Sequence, residues 1–133
     1  MVNRSPETLS LGGDEDVVRA RRAVREWAAR MGFSLVVQTK VVTAASELAR
    51  NAIVHGGGGT IRIETADGAG SGLRLIVEDR GPGIADIDRA LADGFSTAGG
   101  LGLGLGGSRR LVTEFEVRSA PGEGTRVTVV VRP

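Results

Sequence analysis

The chain has 133 residues, a formal net charge of +1 at pH 7 and 41% hydrophobic residues, values that suit one domain with a buried core. The near-neutral charge and the 3% aromatic content give no indication of a nucleic-acid partner, and the absence of cysteine excludes disulfides and thiolate sites. No membrane-spanning or targeting segment is visible, so we expect no membrane partner, a cytoplasmic location and a single domain over residues 1–133, with residues 1–6 as a loose end.

The first half of the chain predicts a short strand and two helices. An edge strand is predicted at Thr8–Leu11, a helix over Asp14–Met31 and a second helix over Leu35–His55, which four glycines follow. Apolar positions recur with helical spacing in both helices and predict their buried faces. In the first helix they are Val17, Ala20, Val24, Trp27, Ala28 and Met31, and in the second Val41, Ala45, Leu48, Ala49, Ala52 and Ile53.

The second half alternates predicted strands with glycine-rich segments. The predicted elements are strands at Thr60–Thr65 and Leu73–Asp79, a short helix at Ile84–Ala92, an irregular loop at Asp93–Gly102, a helix at Leu103–Val112, and strands at Phe115–Ser119 and Thr125–Arg132. Helices and strands come in pairs along the chain. This order favours an α+β two-layer sandwich, in which helices cover one face of a mixed, mostly antiparallel sheet.

The first group of residues with chemical potential is Glu47-Leu-Ala-Arg-Asn51 in the second helix. Its spacing places Glu47 and Asn51 on one face, one turn apart, with Lys40 and His55 near the same line. The carboxylate can accept a proton from an attacking hydroxyl, and the amide oxygen is a ligand that suits Mg²⁺. Taken alone, the pair is also explained by a solvated helix face.

The second group is Asp79-Arg-Gly81-Pro-Gly83-Ile84, directly after an apolar strand. A carboxylate at a strand end can accept a hydrogen bond from an exocyclic amine such as that of adenine, and glycines let the backbone approach a ring closely. A tight turn in which Asp79 binds nearby amides accounts for the same residues.

Glycine and leucine alternate over 99–107, just before and inside the start of a predicted helix. Free amides at a helix start bind phosphate, although a lid hinge has the same composition. A dinucleotide-binding fold is excluded because no apolar strand precedes the run, and a P-loop because the sequence has no Gly-Lys-Ser/Thr. The protein-kinase His-Arg-Asp motif is also missing.

The last motif is Gly122-Glu-Gly124-Thr125, between the final two strands. A hairpin turn explains it. Its functional alternative is a threonine hydroxyl near the edge of an adenine.

In this order the motifs resemble those of the GHKL ATPase superfamily, which includes the gyrase, Hsp90, histidine-kinase and MutL types. The resemblance runs from the first helix to the last strand and implies a Bergerat-type sandwich that holds ATP and Mg²⁺ between the helices and a lid. The sequence is most similar to the small RsbT-type serine/threonine kinases of the bacterial stressosome, relatives of the RsbW and SpoIIAB anti-sigma kinases. The stretches that carry this likeness are Ser46–Asn51, Glu78–Ile84, Asp93–Thr97, Gly99–Leu105 and Arg110–Phe115.

The resemblance implies roles for individual residues. Asn51 would ligate Mg²⁺, and Glu47 would be the base or its orienting group. Asp79 would bind the adenine amine, assisted by Thr125 through water, while His55 would lie near the phosphate end or simply end its helix. The base pocket would include Gly81, Gly83 and Ile84, and the lid with its phosphate cradle would include Ser96, Thr97, Gly99, Gly100, Leu101, Gly102, Leu103, Gly104 and Leu105.

The resemblance also implies an activity and partners. The expected reaction is phosphorylation of a serine or threonine on a small STAS-domain antagonist, after which the kinase binds and activates a PP2C-type phosphatase. One alternative is an anti-sigma factor that binds a sigma factor and phosphorylates an anti-anti-sigma protein. A further alternative is an ATP-dependent binding module without kinase activity.

Overall fold

The computed structural model describes residues 5–67, 71–83 and 104–133. These ranges contain strands β1 (Glu7–Leu11), β2 (Gly59–Ala66), β3 (Gly72–Asp79), β4 (Glu114–Ser119) and β5 (Thr125–Val131), and helices α1 (Asp14–Arg30), α2 (Leu35–Val54) and α3 (Gly104–Arg110). Each lies close to its predicted bounds. The predicted helix at 84–92 and the predicted loop at 93–102 lie outside the described residues.

The strands form a five-stranded sheet in the order β1-β2-β3-β5-β4, and each neighbouring pair is antiparallel. Two hairpins therefore lie side by side, with β5 inserted between β3 and β4. The turn between β4 and β5 contains Gly122 and Gly124, whose φ angles of 80° and 78° favour glycine. The α+β layer is confirmed, and in these described ranges the sheet is wholly antiparallel rather than mixed.

The core lies between α1, α2 and one face of the sheet. Alternate residues of β3, namely Leu73, Leu75 and Val77, are buried on that face. Helix α2 contacts α1, α3 and the sheet, so it is buried over a wider arc than the predicted stripe. Val42 and Ala44 are therefore buried in addition. Of the predicted core positions, Val17, Met31 and Ile53 are only half-buried and pack against the rim of the cluster.

The opposite face of the sheet carries ion pairs both within and between strands. Glu64 on β2 accepts hydrogen bonds from Arg62 at 2.7 Å and from Arg74 on β3 at 2.8 Å. Further along the sheet, Glu116 pairs with Arg118 and Glu114 pairs with Arg132. The helices and the charged face therefore lie on opposite sides of the sheet.

Candidate functional site

The ends of β3 and β5 bring Asp79 and Thr125 together. Asp79 is the last residue of β3 and is the register partner of Thr125, the first residue of β5. The Thr125 hydroxyl lies 2.9 Å from Oγ of Ser119, which also donates to the carbonyl of Gly124 at 2.8 Å. Two motifs that are far apart in the sequence thus meet where β3 ends and β5 begins.

The carboxylate of Asp79 is held by the turn that follows it. Its Oδ1 accepts a hydrogen bond from the amide of Gly81 at 2.9 Å, and the side chain is half-buried. Within the described ranges no hydrogen bond reaches the second oxygen, Oδ2. The turn given as the plain structural interpretation is therefore present, and it orients the Asp79 carboxylate through Oδ1.

Helix α2 ends directly beside this carboxylate. The carbonyl of Asn51 accepts from the amide of His55 at 2.9 Å, and the carbonyl of Ala52 accepts from Gly56 at 3.0 Å and from Gly58 at 2.9 Å. Asn51 and Glu47 are half-buried, whereas His55 is exposed at the C-cap. Asn51 therefore lies in the last turn of the helix, and Glu47 lies about 6 Å further back along the axis.

The glycines after α2 make the contact between helix and strand. A Cβ on Gly56 would overlap the Asp79 side chain, and a Cβ on Gly81 would lie 2.5 Å from Cα of Gly56. From the sequence alone the four glycines predict a helix terminator, and their contact with Asp79 is not predicted. The available signal was their number, because a helix C-cap generally needs only one glycine.

A cavity of about 330 Å³ opens beside these ends of β3 and β5. It is lined by Asp79 and Thr125 together with charged side chains to which the sequence assigned no role. Its lining residues are Glu78, Asp79, Arg118, Ser119, Ala120, Glu123, Gly124, Thr125 and Arg126. Because the charges are mixed, the cavity is polar without a strong net sign.

The remaining predicted site residues fall into two groups. Gly104 begins α3 and Leu105 is 8% exposed, as part of the hydrophobic core. Gly83 has a φ of 80° and lies against the carbonyl of Ala120. The others lie outside the described residues: Ile84, Ser96, Thr97, Gly99, Gly100, Leu101, Gly102 and Leu103.

The donors present fit a magnesium ion that takes only one or two of its ligands from the protein. Across the parts of the chain that the structure describes, no group of three or more histidine, cysteine, aspartate or glutamate side chains could hold a metal ion by itself. Mg²⁺ commonly takes one or two protein oxygens and completes its shell with phosphates and water. The amide oxygen of Asn51 is a donor of this kind. Over the same residues, no helix is both long and apolar enough to cross a membrane.

Comparison with known sequences gives consistent relatives. A family model described as Histidine kinase-, DNA gyrase B-, and HSP90-like ATPase matches residues 36–133. The serine/threonine-protein kinase RsbT of Bacillus subtilis is 49% identical over 116 residues, which cover 86% of this chain and 87% of that protein. The anti-sigma F factor of a Thermoanaerobacter species is 34% identical over 113 residues, covering 81% of this chain and 79% of the relative.

Solved structures share the fold. A Mycobacterium tuberculosis chain with RsbU and RsbW domains superimposes with a TM-score of 0.67 at 25% identity; the match covers 97% of this chain but 32% of that one. The present chain thus spans about a third of that protein. The mycobacterial sensor histidine kinase MprB superimposes with a TM-score of 0.55 at 20% identity over 97% of this chain and 99% of its own, a likeness of fold alone.

Proposed function

Since the chain belongs to the histidine kinase-, DNA gyrase B- and HSP90-like ATPase family, we propose that it is an ATP- and Mg²⁺-dependent serine/threonine-protein kinase active in partner switching. The observation that carries the proposal is the fixed carboxylate of Asp79, which lies beside Thr125 and against the end of the helix that bears Glu47 and Asn51. The identity of 49% to a serine/threonine kinase supports the same assignment.

The adenine base would be recognised where β3 ends and β5 begins. The 6-amino group of adenine would donate to Oδ2 of Asp79, while the Gly81 amide holds Oδ1. Thr125 would complete the contact through water, and Gly81 and Gly83 would leave room for the ring. A carboxylate accepts from an amine but not from the 6-oxo group of guanine, so this edge favours adenine. The expected change for Asp79→Asn is a loss of about 1–3 kcal/mol of ATP affinity and of the preference for ATP over GTP.

The helix would supply the metal ligand and the base. The amide oxygen of Asn51 would hold Mg²⁺, which when bound neutralises part of the triphosphate charge. Glu47 would accept the proton of the attacking serine or threonine hydroxyl as the hydroxyl oxygen bonds to the γ-phosphorus and the bond from that phosphorus to the bridging β-γ oxygen breaks. Phosphoryl transfer of this type depends mainly on positioning and charge neutralisation. Arg109 or Arg110, both exposed at the end of α3, would add some of the positive charge.

The partners proposed are a small STAS-domain antagonist as substrate and a PP2C-type phosphatase as the protein that is activated afterwards. The RsbT of Bacillus subtilis is the relative that motivates this pairing. A second candidate is an anti-sigma factor that binds a sigma factor and phosphorylates an anti-anti-sigma protein, and the 34% identity to an anti-sigma F factor favours it. An ATP-dependent binding module without transfer is the remaining alternative.

The test combines labelled ATP with each candidate partner. The purified chain is incubated with γ-labelled ATP, Mg²⁺ and an STAS-domain protein, and the label on serine or threonine is measured. Glu47→Ala is expected to keep ATP binding and to lower transfer by about 10²–10⁴, the usual contribution of a general base. Glu15→Ala, an exposed acidic position in the first turn of α1, is the matched control and is expected to keep wild-type transfer.

Each outcome assigns one function. Label on the STAS protein together with capture of a PP2C-type phosphatase supports the kinase of the RsbT type. Capture of a sigma factor instead supports the anti-sigma alternative. Binding of ATP without any transfer supports the binding module, and wild-type transfer by Glu47→Ala removes Glu47 from its proposed role.

A further inference from the structure

We infer that Gly56 is a positioning residue for recognition of the base, because its missing side chain lets the end of α2 pack directly against the Asp79 carboxylate. The inference rests on the proposed function, which gives that carboxylate the task of binding the adenine amine. It adds a specificity determinant outside the motif that contains Asp79 itself.

The contact leaves no space for a side chain. A Cβ built on Gly56 would overlap Cβ and Cγ of Asp79 and would lie 2.6 Å from its Oδ1. On the other side, a Cβ on Gly81 would lie 2.5 Å from Cα of Gly56 and 3.1 Å from its carbonyl carbon. The backbone of Gly56 is therefore enclosed between the carboxylate and the turn that holds the carboxylate.

Gly56 is itself held in place at both ends of its segment. Its amide donates to the carbonyl of Ala52 at 3.0 Å, which ties it to the last turn of α2. Three residues later, Gly59 is the register partner of Asp79 in the β2–β3 ladder. The segment between helix and sheet is thus short and anchored, so a larger residue at 56 would displace the Asp79 carboxylate rather than move away from it.

The same contact links the two ends of the proposed nucleotide site. Asn51 lies in the turn that Gly56 closes, since the amides of His55 and Gly56 donate to the carbonyls of Asn51 and Ala52. Gly56 therefore fixes where the base-binding carboxylate stands relative to the metal-binding helix. We expect a substitution at 56 to change which base is accepted while leaving the Asn51 end of the site intact.

An alanine substitution isolates this contact from backbone strain. Among the described residues, Gly56 is not one of the glycines with a left-handed φ. Its backbone conformation therefore accepts alanine. Gly13 is the matched control, because its φ of −169° is extended and a Cβ there would meet nothing within 4 Å. Both changes add one methyl group to a glycine next to a helix end.

The experiment is a calorimetric titration of ATP and of purine riboside triphosphate, which lacks the 6-amino group, in the presence of Mg²⁺. Wild type and Gly13→Ala are expected to prefer ATP by at least about tenfold, the usual size of a hydrogen bond to a charged group. Gly56→Ala is expected to lose about tenfold of that preference, through weaker ATP binding and nearly unchanged binding of purine riboside triphosphate. If Gly56 only stabilised the fold, its substitution would weaken the binding of both nucleotides equally.

The variant Asp79→Asn separates failure of the inference from failure of the proposed function. If Asp79→Asn loses the preference and Gly56→Ala keeps it, the positioning role of Gly56 is wrong and the base contact stands. If Asp79→Asn keeps the wild-type preference, the proposed base contact is wrong and the inference fails with it. An equal loss of affinity for both nucleotides in Gly56→Ala also contradicts the inference.

If Gly56→Ala does not fold, the inference is tested on the wild-type chain by nuclear magnetic resonance. The amide resonance of Gly56 is expected to shift on addition of ATP and to shift much less on addition of purine riboside triphosphate. Equal shifts with the two nucleotides would overturn the proposed coupling between Gly56 and the base contact.

Discussion

Asn51 is the residue on which metal dependence is expected to rest. It offers one half-buried amide in the last turn of α2. Replacing it by alanine removes the oxygen, so Asn51→Ala is expected to abolish Mg²⁺-dependent ATP binding, whereas Asn51→Asp keeps an oxygen ligand and part of the dependence. Titrations of ATP with Mg²⁺ and with EDTA measure the effect, and unchanged affinity of Asn51→Ala in Mg²⁺ contradicts it.

Glu64 is the residue through which acid is expected to weaken the fold. The hydrogen bond from Arg74, with a further one from Arg62 and the charge of both guanidinium groups, lowers the pKa of Glu64 below its ordinary value of 4.5, although burial opposes this. A lowered pKa stabilises the fold above the ordinary value, and the stabilisation is lost as the pH falls through the pKa of the folded protein.

Removing the Glu64 charge tests this linkage. Glu64→Gln is expected to lower the free energy of unfolding by up to about 1 kcal/mol at pH 7, the usual range for a partly exposed ion pair. The difference from wild type is expected to shrink as the pH falls below 4.5, the ordinary pKa of the group. Urea unfolding at several pH values measures it, with Glu78→Gln on the same face as control, and a constant difference would contradict the prediction.

Single residues were predictable from the sequence where their chemistry depends on local spacing. The pairing of Glu47 with Asn51 follows from helical geometry, and the turn at Asp79 and Gly81 follows from residue type. The role of Gly56 did not follow, because a glycine has no side-chain pattern and its neighbour Asp79 lies in another element. The spacing of residues within one helix or strand does not predict contacts between different elements.

At the level of elements, α2 begins with a defined cap. Ser34 is the N-cap residue, and its Oγ accepts a hydrogen bond from the amide of Val37 at 3.2 Å. Ser34→Ala is expected to lower the free energy of unfolding by about 0.5–2 kcal/mol, because an amide of the first turn loses its acceptor. Chemical unfolding measures the change; Ser10→Ala, at an exposed position of β1, is the control and is expected to stay within about 0.5 kcal/mol of wild type.

The positions of the helices and strands and the two hairpins β2–β3 and β4–β5 followed from the sequence, whereas the order in which the hairpins join in the sheet did not. Caps, glycine runs and periodicity are local signals, so α1, α2 and the strands begin and end near the predicted residues. The insertion of β5 between β3 and β4 is a long-range pairing that no local pattern encodes. The wider burial of α2 at Val42 and Ala44 likewise depends on which elements surround it.

In the whole molecule, α2 has two tasks, since it lies in the core and carries the proposed site. Leu48 is 1% exposed, whereas Leu35 on the same helix is 76% exposed. Leu48→Ala is expected to lower the free energy of unfolding by about 2–5 kcal/mol through lost burial and a cavity. Leu35→Ala is the matched control, and it is expected to change stability by less than about 0.5 kcal/mol. Similar losses from both variants in urea unfolding would contradict the burial of this face of α2.

The buried indole of Trp27 serves as an intrinsic fluorescence probe of the molecule. Trp27 is the only tryptophan of the chain, which also has no tyrosine. Its side chain is 1% exposed, and its Nε1 donates to Oε1 of Glu7 at 2.9 Å, which joins α1 to the edge strand β1. Tryptophan fluorescence therefore comes from a single point where helix and sheet meet. Its emission follows the docking of the first strand without any attached dye.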